Sequence, residues 1–112
     1  MFEMTKESIG TVYEALKVAV VAAYEAGEVA IAAKGNLEAM RLSMLMTGEI
    51  VGKNEAEREA QARRLLEEKF KAVDVCEAAA RRSKAALEVA RLDVEQARAQ
   101  LRLMELVEAA AG

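Results

Sequence analysis

The chain has 112 residues and a formal net charge of −3, and 54% of its residues are hydrophobic, 31% charged and only 4% aromatic. This length suits one domain or half of an obligate oligomer, and the charge excludes a globally basic surface for nucleic acid. The chain lacks proline, tryptophan and histidine, and it is rich in Ala, Glu, Arg, Lys and Leu, the composition of long helices and coiled coils. We therefore expect an all-α fold.

The first predicted helix covers residues 5 to 46, with Thr5 near its start. Its apolar residues recur at alternating spacings of three and four, as do the a and d positions of a heptad repeat. They are Ile9, Val12, Leu16, Ala19, Ala23, Ala26, Ala30, Ala33, Leu37, Met40 and Met44. Gly35 can end a helix and Asn36 can cap the next one, whereas the heptad phase continues through both residues. A continuous helix and a break at Gly35 both stay open.

The predicted connection covers residues 47 to 53, with a glycine near each end. Its length suits an antiparallel helical hairpin. Gly48, Gly52 and Lys53 superficially resemble a phosphate-binding loop. That motif needs four residues between its glycines and a Ser or Thr after the lysine; this chain has three residues there and then Asn54. The segment is interpreted as a turn between helices.

The second predicted helix covers residues 54 to 110 and contains neither Gly nor Pro. Asn54 can cap its first turn, and Glu57 can return a hydrogen bond in a variant of the capping box. A heptad seam begins at Ala62. Its a positions hold Leu66, Val73, Ala80, Leu87, Val94 and Leu101, and its d positions hold Ala62, Lys69, Cys76, Ser83, Ala90, Ala97 and Met104.

A second apolar stripe follows this helix on nearly the opposite side from the seam. Its members are Val75, Ala78, Ala85, Val89, Leu92, Ala99, Leu103 and Leu106. A helix that is apolar on two faces needs helical neighbours on both. The pattern therefore predicts a long, antiparallel, coiled-coil-like hairpin that assembles into an intermolecular helical bundle.

The two arms of this hairpin are predicted to be unequal. If the chain turns near residue 50, Thr5 lies opposite about residue 95, since both arms rise equally per residue. The segment from Gln96 to Ala110 would then have no partner in its own chain. Because it is apolar, we predict an obligate homo-oligomer, most simply a dimer that forms a four-helix bundle. The predicted interface residues are Leu92, Leu101, Leu103, Met104, Leu106 and Val107.

Basic residues are locally in excess on the second helix, where the segment from Arg81 to Arg102 holds six basic and three acidic residues. Five of them are candidate phosphate contacts, namely Arg81, Arg82, Lys84, Arg91 and Arg98. The competing interpretation is that Arg91 and Arg98, which flank the seam, pair with acids of a neighbouring helix.

No pattern typical of a catalytic, cofactor or metal site is found. The chain has no histidine, and its single cysteine, Cys76, occupies a seam position where a small buried hydrophobe is expected. We therefore predict that the protein is not an enzyme and uses no cofactor or metal.

The most apolar window, Val18 to Ala33, is 16 residues long and contains Glu25 and Glu28. A membrane-spanning helix needs about 20 apolar residues. The first residues also lack the pattern of a signal peptide. We therefore expect a cytoplasmic protein without a membrane span.

The turn and the start of the second helix, Thr47-Gly48 and Gly52–Arg58, resemble those of small helical-hairpin proteins in bacterial and prophage gene sets. In those proteins a short Gly-Lys-Asn-Glu turn opens a long Ala/Glu/Arg-rich helix, and residues 49 to 51 are additional here. The resemblance implies a phage-related or bacterial context and no site residues. The function expected from the sequence is that of an assembly or accessory factor acting through contacts with itself and with other proteins. The alternative is a modulator of nucleic-acid transactions that uses the basic edge.

Overall fold

The computed structural model describes residues 6 to 112, and the predicted helix start at Thr5 lies outside this range. The described residues form three helices: α1 (Lys6–Met46), α2 (Glu55–Leu65) and α3 (Glu67–Ala111). No strand occurs among these residues. The prediction of an all-α helical hairpin is confirmed.

Helix α1 is continuous from Lys6 to Met46, so the alternative of a break at Gly35 is wrong. A Cβ atom added at Gly35 would meet nothing within 4 Å, and the same is true at Gly27. Neither glycine is therefore required by a close approach of another chain segment. The undisturbed heptad phase was the better guide to the course of this helix.

The end of α1 is closed by backbone hydrogen bonds that run back to its last turn. Gly48 adopts a left-handed conformation with φ of 81°, as is common for the glycine that follows a helix. The amides of Glu49 and Ile50 both donate to the carbonyl oxygen of Met44, at 2.9 and 3.1 Å. Ile50 is buried, so the connection is anchored by a side chain as well as by its backbone.

The second predicted helix is not one uninterrupted α-helix, since α2 ends at Leu65 and α3 begins at Glu67. Leu66 has φ of −112° and ψ of 28°, away from the helical values of about −63° and −42°. Helical hydrogen bonding continues on both sides: the Leu66 amide donates to Ala62 at 2.8 Å, and its carbonyl accepts from Phe70 at 2.9 Å. The sequence has no helix-breaking residue here. The interruption instead accompanies packing, because Leu66 is buried with Leu37 and Val73 in one cluster.

The helices contribute to two compact units. Of the described residues, unit 1 comprises residues 6 to 24 and Arg82–Gly112, and unit 2 comprises Glu25–Arg81. Ala90, Val94 and Ala97 are buried in unit 1, whereas unit 2 buries the cluster around Leu66. Among the described residues, every buried hydrophobic side chain except that of Ile50 occupies a predicted seam position. The heptad pattern thus identifies the faces along which the helices pack.

Within residues 6 to 112, none of the three helices combines the length and apolar character needed to cross a membrane.

Candidate functional site

Several large apolar side chains of α3 lie exposed on the side of the helix away from the seam. Val89, Leu92, Leu103 and Leu106 are 58–62% exposed. Together with Ala99 they form one row along the helix, with successive spacings of three, seven, four and three residues. Gln96 occupies the position in this row between Leu92 and Ala99. Residues three and four apart share a helix face. We call these five residues the outer stripe; all of them belong to unit 1.

The six predicted interface residues fall on different parts of α3. Leu92, Leu103 and Leu106 belong to the outer stripe, and Val107 beside it is 61% exposed. Met104 is less exposed, at 38%. Leu101 is half-buried on the seam. Four of the six residues are therefore freely available for contact with another chain.

The predicted unpartnered segment from Gln96 to Ala110 is shorter in the structure. Within unit 1, the Arg98 guanidinium Nε donates to the Tyr13 hydroxyl at 3.2 Å, and Ala97 is only 2% exposed. The chain therefore covers α3 as far as Leu101, and continuous exposure begins at Arg102. The count from a turn near residue 50 placed the end of the covered segment near residue 95, whereas the structure extends it to Leu101.

Charged residues flank the outer stripe. Glu95 and Arg102 are seven residues apart on one side of it, and both are exposed. Neither makes an ion pair with any of the described residues. Asp93 and Gln100 lie on the other side; the half-buried Gln100 side chain has a buried Oε1 without a hydrogen-bond partner in the described part of the chain. Sequence analysis named only Arg102 among these four residues, as the end of the basic segment. The heptad positions of Glu95, Asp93 and Gln100 beside the stripe could have identified the other three.

A groove of about 530 Å³ lies along α3 between the seam residue Leu101 and the stripe residue Leu106. It is lined by Arg98, Leu101, Arg102, Glu105 and Leu106. The groove joins an apolar floor to two guanidinium groups and one carboxylate. Such a lining suits contact with another amphipathic helix better than the enclosure of a small molecule.

The five candidate phosphate contacts are all exposed on α3, with Arg81 in unit 2 and the other four residues in unit 1. Lys84, Arg91 and Arg98 follow one line at seven-residue spacing. Arg91 pairs with Glu88 at 2.8 Å, an acid of its own helix and not of a neighbouring one. Arg98 donates to Tyr13. Two of the cations on this line are therefore already engaged.

The turn before α2 uses its backbone donors internally. Gln61 Oε1 accepts hydrogen bonds from the amides of Val51 and Gly52, both at 2.9 Å. Asn54 caps α2 by accepting from the amide of Glu57 at 2.9 Å, and the Glu57 carboxylate accepts from Lys53 at 2.8 Å. A phosphate-binding loop needs free backbone N–H groups. The amides of residues 51 to 53 are already bonded to side chains, which supports the interpretation as a turn.

A second groove, of about 450 Å³, lies beside this turn in unit 2. Its lining includes Arg41, Glu55, Arg58 and Glu59 together with Leu45 and Ile50. Arg41 forms an ion pair with Glu59 across it, and Arg58 donates to the carbonyl of Gly52 at 3.2 Å. These charges hold α1, the turn and α2 together.

Among residues 6 to 112, no group of three or more His, Cys, Asp or Glu side chains is placed to hold a metal ion. Cys76 is a free thiol and is half-buried at its seam position.

Comparison with protein-family models, curated protein sequences and solved structures finds no match to this chain.

Proposed function

We propose that the protein is a non-enzymatic, homo-oligomeric helical protein that acts through protein–protein contacts as an assembly or accessory factor. The observation that carries this proposal is the outer stripe of α3. Its large side chains are more than half exposed, and they are aligned on one helix face. Exposed large apolar side chains aligned in this way are typical of sites of protein association.

The energetics favour burial of this surface. Complete burial of a Val or Leu side chain contributes about 1.5–3 kcal/mol. Five side chains of α3 are 58–62% exposed, namely Val89, Leu92, Leu103, Leu106 and Val107, so about three fifths of this contribution remains to be gained from each. Over the five residues this is about 4–9 kcal/mol for each chain, which offsets the lower part of the cost of association of about 4–15 kcal/mol. Self-association is the form of contact that needs no further component. The resemblance of the turn to that of small prophage hairpins makes a phage-related or bacterial setting our proposed context.

The test is the solution mass, measured by light scattering after size exclusion over a hundredfold range of concentration. We expect a dimer or larger species that persists over most of this range. The double variant Leu103→Gln/Leu106→Gln should shift the mass toward that of the monomer, because it removes apolar contact while leaving the seam intact.

A matched control removes exposed apolar surface elsewhere. Met46 and Val51 are 80% and 67% exposed at the end of α1 and in the turn, and Met46→Gln/Val51→Gln should leave the mass unchanged. A well-folded monomer at every concentration of the unmodified protein would reject the proposal.

A second candidate function is modulation of nucleic-acid transactions. It is favoured by the exposed line of Lys84, Arg91 and Arg98 together with Arg81 and Arg82. Contacts to phosphate weaken steeply with salt. A gel-retardation assay with duplex and single-stranded DNA should therefore give a shift at low salt that is lost at moderate salt. The absence of any shift at low salt would eliminate this candidate.

A further inference from the structure

We infer that the occupant of the outer stripe is the outer stripe of a second copy of this chain, packed antiparallel to it about a two-fold axis. This inference rests on the proposed self-association and specifies its geometry. The central layer pairs Gln96 with Ala99 of the second copy. The reciprocal charge contacts join Glu95 to Arg102 of the second copy.

The apolar residues of the stripe are arranged symmetrically about this centre. When Gln96 and Ala99 of two antiparallel helices face each other, Leu92 faces Leu103 of the second copy, and Val89 faces Leu106 of the second copy. Every layer then pairs one large side chain with another, except at the centre. Because the dimer has a two-fold axis, each of these pairs of facing residues occurs twice in the interface. The paired face extends from Val89 to Leu106, about 25 Å of helix at 1.5 Å per residue.

The flanking charges select the antiparallel direction. In antiparallel helix pairs, flanking positions of the same heptad type face each other across the interface. Glu95 and Arg102 share one such position, so each carboxylate faces a guanidinium group. On the other side, Asp93 faces Gln100, whose side-chain amide has two donors for the Asp93 carboxylate.

A parallel, in-register pair lacks this complementarity. It would bring Glu88 beside Asp93 of the second copy, and these are like charges. Glu95 would face Gln100 and Arg102 would face Val107, so neither charge would gain an opposite partner. Both Glu95 and Arg102 are exposed and free of ion pairs with the described residues. They are therefore available for the antiparallel contact without breaking an existing one.

Charge reversal tests the pairing. Glu95→Arg creates two Arg–Arg contacts in one dimer, and Arg102→Glu creates two Glu–Glu contacts. Like charges across an interface oppose association, and we expect each single variant to raise the dimer Kd by about tenfold or more, equivalent to 1.4 kcal/mol. The double variant Glu95→Arg/Arg102→Glu restores opposite charges. Its Kd should return to within about threefold of the original, a much smaller change than the tenfold rise expected for each single variant. Light scattering over a concentration series measures all four proteins, and circular dichroism checks that each remains helical.

Cross-linking tests the direction independently. In a Cys76→Ala background, chains carrying Gln96→Cys are mixed with chains carrying Ala99→Cys under mild oxidation. We expect the mixture to form an inter-chain disulfide faster than either variant alone, because positions 96 and 99 face each other across the two-fold axis.

The outcomes separate this inference from the proposed function. If the unmodified protein is monomeric at every concentration, self-association itself is wrong. If the protein is a dimer but the single charge reversals leave its Kd unchanged, or the double variant is weaker than both, the antiparallel pairing is overturned and self-association stands. Preferential cross-linking of either cysteine variant with itself would also overturn the pairing.

Discussion

Gly52 is the residue that depends most directly on its own lack of a side chain. A Cβ atom added there would lie 2.6 Å from the backbone nitrogen of Arg58 and 2.8 Å from the Cβ of Glu57. The Gly52 amide also donates to Gln61, and its carbonyl accepts from Arg58. The turn therefore approaches the first turn of α2 too closely for any other residue to fit without displacement of the backbone.

Gly52→Ala should destabilise the protein by about 1–3 kcal/mol, the range expected when an added methyl group displaces packed atoms. The matched control is Gly35→Ala, since a Cβ atom at Gly35 meets nothing within 4 Å. Because alanine is favoured over glycine inside a helix, this control should stabilise the protein by about 0.5–1 kcal/mol. Urea unfolding at one fixed protein concentration measures both. Equal midpoints for the two variants would contradict the prediction.

At the scale of the element, the interruption at Leu66 divides the second arm of the hairpin without separating its two parts. The guanidinium group of Arg63 in α2 lies 4.7 Å from the ring centroid of Phe70 in α3. Phe70 in turn packs against the cluster of Leu37, Leu66 and Val73. The residues on both sides of the interruption are thus held by one hydrophobic cluster of unit 2.

Leu66→Ala should destabilise the protein by about 2–5 kcal/mol, the usual cost of truncating a buried leucine. Leu66 is 3% exposed, whereas its neighbour Leu65 is 47% exposed. Leu65→Ala is therefore the control, with an expected change below about 1 kcal/mol, since burial sets the size of the effect. Denaturant unfolding followed by circular dichroism compares the two. A larger loss for Leu65→Ala would show that the cluster around Leu66 is not the core of unit 2.

At the scale of the whole molecule, exposed apolar residues occur in both units. In unit 1 they include Val18, Val21 and Tyr24 of α1, besides the outer stripe of α3. In unit 2 they include Val29 and Ile31. The described chain therefore leaves large apolar side chains unburied on both of its long helices, as expected of a subunit that is completed by another chain.

The thermal stability of the protein should accordingly depend on its concentration. Association that involves only the folded state raises Tm as concentration rises. We expect Tm to increase over a hundredfold concentration range in differential scanning calorimetry. The increase should be smaller for Leu103→Gln/Leu106→Gln. A Tm that is independent of concentration for the unmodified protein would mean that folding is not coupled to association.

The sequence by itself determined the helical class, the packing faces and the cap of α2. Seam residues such as Val73, Val94 and Ala97 are buried, and Asn54 accepts the amide of Glu57 as predicted. The cap follows from neighbours in the chain, and the faces follow from a periodicity that repeats over many turns. Both are local information that one sequence carries in full.

Only the tertiary structure decided that α1 passes through Gly35, that the second arm is interrupted at Leu66, and that Ala97 is covered by its own chain. The role of Gln61 as the hydrogen-bond acceptor for the turn was likewise visible only in the structure, because the amides that donate to it are nine and ten residues away in the chain. The physical reason is common to these features. The spacing of apolar residues along the chain fixes which face of a helix is apolar. Register and continuity instead depend on contacts between residues distant in the chain, whose packing energy outweighs the small differences in helix propensity.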